Sequence, residues 1–81
     1  MTEEQVFQVL KKHILDQLED EVEEADVVME ASMVEMGANS LDIVEIVSNT
    51  MRELKVKVPR DELAKLKNIG ELVAKIVEYA D

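Results

Sequence analysis

The chain has 81 residues, room for one small domain with a limited core, and its lack of cysteine excludes a disulfide framework, a zinc–thiolate centre and a cysteine nucleophile together. Nineteen acidic residues against nine basic ones leave a formal net charge of −10, a surface that repels nucleic acid and attracts basic patches on protein partners. With 47% hydrophobic residues the acidity belongs to a folded domain rather than a disordered tail, and with Phe7 and Tyr79 as the only aromatics the core falls to Leu, Ile, Val and Met.

The N-terminus lacks the basic and apolar blocks of a signal peptide, and no stretch is long and apolar enough to span a membrane, so a cytoplasmic protein without membrane attachment is expected. Val6, Phe7, Leu10, Ile14, Leu15 and Leu18 recur at helical spacing, which predicts a first helix from about Glu3 to Leu18, with Thr2 as its cap and early acids suited to its positive end. His13, the one histidine, is expected at an exposed helix position, because no second histidine or cysteine could complete a metal site.

The run "EDEVEEAD", Glu19 to Asp26, lacks the alternating ligands and turn glycine of a calcium loop and is read as solvated. Val27, Val28, Met29, Met33, Val34 and Met36 are then expected to pin a long loop onto the helices. So long a connection in a small domain points to function or to a helical turn within it. Gly37 is the residue able to turn that loop.

A second helix reaches Leu54, with Leu41, Val44, Val47, Met51 and Leu54 as its apolar stripe and Ile43 and Ile46 widening it. Asn39 and Ser40 are both good cap types, so the helix begins at one of them. The Ser40 hydroxyl then lies where a helix start offers free N–H groups and positive dipole, which favours a phosphate there without any basic side chain. "KVKV", Lys55 to Val58, alternates like a strand but has nothing to pair with and is read as an extended connector. Pro59 with Asp61 and Glu62 opens a short helix, and Asn68 caps a last one whose stripe is Ile69, Leu72, Val73, Ile76 and Val77, with Gly70 a tolerable cost near its start. The expected fold is all-α: a small four-helix bundle over residues 1–81, with three main helices, one short third helix and a long first loop.

"MGANSLDIVEIV" resembles the phosphopantetheine attachment motif of acyl carrier proteins, and "VPRDELAKLKNIGELVAKIVEYA" is similar to that family's Pro-acidic stretch, short third helix and final helix. The resemblance extends over essentially the whole chain. It implies that Ser40 carries 4'-phosphopantetheine through a phosphodiester, installed from coenzyme A by a phosphopantetheinyl transferase. The arm's thiol would hold an acyl group as a thioester, and the protein itself would catalyse nothing. Asn39, Leu41, Asp42, Ile43, Glu45, Met51 and Arg52 would face partner enzymes, among them acyltransferases, ketosynthases or HMG-CoA-synthase-like enzymes with basic docking patches. A monomer is expected.

Two departures narrow the resemblance. The residue before the serine is Asn39 where fatty-acid carriers commonly have aspartate, and Met51 and Arg52 stand where two glutamates are common. "GANS" with "PRDELAKLKNIGEL" is similar instead to discrete carriers of polyketide pathways, particularly those serving an HMG-CoA-synthase-like enzyme in β-branching. Housekeeping fatty-acid synthesis stays open beside that reading. So do a carrier of D-alanyl, aminoacyl or peptidyl cargo and an unmodified acidic adaptor.

Overall fold

The computed structural model describes residues 1–80; Asp81, the last residue of the expected domain, lies outside the described residues. Thr2 starts α1 (Glu3–Gln17) with a reciprocal cap: Gln5 N–H donates to the Thr2 hydroxyl at 3.1 Å, and the Gln5 side chain accepts from Thr2 N–H at 2.9 Å. A single 3-10 turn, Glu24–Asp26, interrupts the long first loop. There follow α2 (Ser40–Leu54), the four-residue α3 (Arg60–Leu63) and α4 (Ile69–Ala80), with no strand among the described residues. The "KVKV" segment forms no strand: Lys55 closes α2 with a left-handed φ of 59°, and only Val56 to Val58 remain as the connector.

The three long helices share one buried cluster. Val6, Leu10 and Ile14 of α1 meet Ile46 and Val47 of α2 and Ile69, Leu72, Val73 and Ile76 of α4. Phe7, Leu15 and Val77 flank it, half-buried. Among the described residues Thr50 is the one fully buried polar side chain, and its hydroxyl donates to the Ile46 carbonyl at 2.8 Å, so no buried side-chain polar atom there lacks a partner.

α1 and α2 run antiparallel, tied at both ends. Gln17 donates to Asp42 Oδ1 at 3.0 Å near the start of α2, while Lys12 and His13 both reach Glu53 near its end, at 2.7 and 2.9 Å. The expectation of an exposed His13 is therefore corrected: its side chain is only 17% exposed, held in a polar clasp between two helices. The paired Lys12 and His13 hold the Glu53 carboxyl below the usual glutamate range, the Lys12 hydrogen bond being the larger cause.

The first loop is anchored more by backbone than its apolar residues imply. The N–H groups of Ile69 and Gly70, left unpartnered by α4, donate to the carbonyls of Ala31 and Met29 at 2.9 and 2.8 Å. Gly70 is thus more than a tolerated helix residue: a Cβ there would stand 3.2 Å from the Met29 carbonyl oxygen. Asn68 completes the helix start, its side chain accepting from Glu71 N–H at 2.8 Å. Of the six expected anchors, Val27 is buried and Met29, Met33 and Met36 are packed against the core, but Val28 and Val34 are exposed. Val22, set within the acidic run, and Ala38 take the inward places instead. Around Val22 the acids are solvated, as expected.

Candidate functional site

Two residues that both cap helices well meet at the corner between the first loop and α2, and the structure divides their roles. Gly37 turns the chain with φ 97°, a conformation that side chains rarely adopt. Asn39 is the cap: its side chain accepts from Asp42 N–H at 2.9 Å, and Asp42 Oδ2 accepts from Asn39 N–H at 3.2 Å. Ser40 is the first residue of the helix, exposed, and its hydroxyl has no hydrogen-bond partner among the described residues. The capping reading of Ser40 is thereby removed.

The backbone N–H groups of Ser40 and Leu41 likewise have no acceptor among the described residues, whereas those of Asp42 and Ile43 are bonded to Asn39. Two free donors and the positive end of a 15-residue helix therefore surround the serine, an arrangement that suits a phosphate ester on the hydroxyl. No side chain activates that hydroxyl. His13, the sole imidazole, is bonded to Glu53 at the far end of α2, about 20 Å along the helix at its usual rise. Among the described residues no group of His, Asp and Glu could hold a metal ion.

Asn39 is exposed with its side chain engaged in the cap, and the other expected docking residues fall into three groups. Leu41 is 72% exposed, and Glu45 and Arg52 are exposed with it. Asp42 has both carboxylate oxygens engaged, one by the cap and one by Gln17, and Ile43 is half-buried against the core. Met51 is half-buried too, its sulfur accepting from Val58 N–H at 3.4 Å.

Val44 changes sides relative to expectation. The apolar stripe read from the sequence included Val44 and Leu41, the latter also expected at the partner-facing surface, yet Val44 is 52% exposed and the inward positions belong to Ile43, Ile46, Val47 and Thr50. At 100° per residue, Leu41, Val44, Glu45, Ser48 and Arg52 share one outer face. The signal was available in the pattern: the apolar positions of this helix cover more than a core-facing stripe needs. Val34, 67% exposed, adds a further aliphatic side chain on the turn leading into α2.

Comparison with known proteins gives this corner its context. Residues 8–76 match the family described as "Phosphopantetheine attachment site". The chain is 39% identical over 72 residues to a Bacillus subtilis protein named polyketide biosynthesis acyl-carrier-protein AcpK, covering 89% of this chain and 87% of that one. It is 34% identical over 77 residues to an acyl carrier protein of Clostridium perfringens, covering 94% and 99%. It is 32% identical over 77 residues to an acyl carrier protein of Clostridium acetobutylicum, covering 94% and 97%. A family match across most of the chain and relatives aligned nearly end to end agree with the all-helical fold: the chain belongs to the acyl carrier proteins, which hold acyl groups as thioesters on a covalent 4'-phosphopantetheine arm.

Proposed function

We propose that Ser40 is the attachment point of the arm and that the protein serves as a non-catalytic carrier in polyketide or other specialised acyl chemistry. The observation that carries the assignment is the split between neighbours at the corner: Asn39 does the capping, leaving the Ser40 hydroxyl exposed and unbonded at a helix start. When bound, the cofactor supplies the thiol that a cysteine-free chain lacks. The chain's own part is to hold the phosphodiester at the Ser40 and Leu41 N–H groups and to let the arm reach into a partner's active site, raising the local concentration of cargo there. With no side chain bonded to the Ser40 hydroxyl, its proton would leave to a group of the transferase as the oxygen bonds to the pantetheine-bearing phosphorus of coenzyme A, and the pyrophosphate bond would break to release adenosine bisphosphate.

Leu41 and Val44 on the outer face of α2 are the apolar contacts for partner enzymes, with Glu45 offering a charge to their basic patches. The specialised pathway is supported by Met51 and Arg52, one of which removes and the other reverses a charge on this helix, and by the name of the Bacillus subtilis relative. One domain acting in the cytoplasm, beside the coenzyme A pool, accords with this role. Turnover of the loaded protein by fatty-acid enzymes is the test: the Met51→Glu/Arg52→Glu variant should be used better than the parent. Equal use of parent and variant would remove this helix as the discriminator.

A further inference from the structure

The chain has no lysine or arginine from residue 13 to residue 51, and six of its nine cations then fall within residues 52–67. The three outside that stretch are each neutralised: Lys11 by Glu24 at 3.2 Å, Lys12 by Glu53 at 2.7 Å and Lys75 by Glu78 at 3.3 Å. Inside it Lys65 pairs with Glu62 at 3.6 Å, but Arg52, Lys55, Lys57, Arg60 and Lys67 have no carboxylate partner among the described residues. In a chain with nineteen acids, cations left unpaired and gathered in one stretch need a reason.

Four of them are exposed and follow closely on one another along the chain. Arg52 lies in the last turn of α2, Lys55 caps that helix at φ 59°, Lys57 sits on the connector and Arg60 opens α3. Val56 N–H donates to the Met51 carbonyl at 3.0 Å, and Val58 N–H to the Met51 sulfur, so the connector is held against the end of α2. Val58 is buried and Val56 half-buried, while Lys55 and Lys57 are exposed beside them. Helix polarity explains two of the four, since cations suit a helix C-terminus, where Arg52 and Lys55 stand. It does not explain Lys57, which is in no helix, or Arg60, which stands at the start of one, where a cation is disfavoured.

We propose that Arg52, Lys55, Lys57 and Arg60 form a docking strip for a carboxylate-rich surface of a partner enzyme, at the end of α2 opposite Ser40. That the partner is an enzyme acting on the tethered group rests on the carrier reading above; the chemistry of the strip does not. At the usual helical rise Arg52 lies roughly 18 Å from Ser40, so an enzyme engaging both spans the outer face of α2. A protein surface fits better than a polyanion. Membrane or nucleic acid would bring extended negative charge against a molecule of net charge −10, whereas a protein can confine its acids to the strip. The same cations repel the basic patches that acidic carriers attract, and so sort partners by both signs of charge.

The test is a titration of 15N-labelled protein, wild type and Ser40→Ala, with a short polyglutamate peptide at low salt, followed by amide chemical shifts. Parallel titrations use oligothymidylate and phosphatidylglycerol vesicles. The strip predicts peptide-induced shifts confined to residues 52–60, equal in both proteins and abolished at about 0.5 M NaCl, where screening reaches only a few ångströms. The Lys57→Glu/Arg60→Glu variant, its fold checked by its own spectrum, should bind about tenfold more weakly. Absence of shifts on the strip, undiminished binding by the double variant, or equally tight binding of oligothymidylate or vesicles would each overturn the proposal. Because Ser40→Ala protein carries no arm on that residue, failure here leaves the attachment reading standing, and failure of attachment leaves this result intact.

Discussion

The two faces of α2 are built from the same kind of residue and end in opposite places. Ile46 and Val47 are buried against α1 and α4, while Leu41 and Val44, aliphatic and one turn away, lie mostly in water. Burial of a large aliphatic side chain is worth about 1.5–3 kcal/mol, so the inner face supports the fold and the outer face contributes little to it. A helix that leaves such side chains exposed beside its most accessible hydroxyl is organised for contact with something else. Fold and function thus divide the helix lengthwise.

The sharpest way to break this comparison is to truncate each face in turn. Ile46→Ala should destabilise the protein by about 2–5 kcal/mol in denaturant unfolding, and Leu41→Ala and Val44→Ala by less than about 0.5 kcal/mol. The outer-face variants should instead lose kcat/KM with partner enzymes. Comparable losses of stability from both faces would erase the distinction. Next in size is the corner: Asn39→Ala should cost about 1 kcal/mol through loss of the cap while still accepting the cofactor, as judged by paired melting and modification assays. Gly37→Ala should cost a similar amount, about 1–2 kcal/mol, because its backbone is left-handed and a Cβ would meet a Glu21 carboxylate oxygen at 2.9 Å.

The smallest expected effect belongs to the clasp at the far end of α2, and it depends on pH. The Glu53 carboxyl is held low, so its contribution is fully present above the ordinary glutamate pKa and lost as pH falls through the depressed value. The gap in stability between wild type and Glu53→Gln should accordingly be present at neutral pH and close in acid. A gap independent of pH would mean the clasp acts through packing rather than charge.

Much of this division was legible in the residues. Thr2 with Gln5, Asn39 before an apolar run, Pro59 followed by acids, and Asn68 all marked helix starts, because capping is local chemistry. Ser40 stood out for the same reason, though only the structure gives the cap to its neighbour. What local chemistry does not encode is direction. Periodicity placed Leu41 and Val44 on a stripe, but which edge of a wide stripe faces inward depends on where α1 and α4 lie. Val28 and Val34 failed as anchors because backbone hydrogen bonds from α4, invisible in side-chain patterns, set the path of the loop. His13 was misjudged because its partner, Glu53, is forty residues away.

The central claim is that Ser40, and not the cap beside it, takes the arm. Intact-protein mass spectrometry after incubation with coenzyme A and a broad-specificity phosphopantetheinyl transferase tests it most directly, run on wild type, Ser40→Ala and Asn39→Ala together. The prediction is one added phosphopantetheine on wild type and Asn39→Ala, localised to Ser40 by fragmentation, and none on a folded Ser40→Ala. Addition that persists in Ser40→Ala, or a folded wild type that stays unmodified with several transferases, would contradict it.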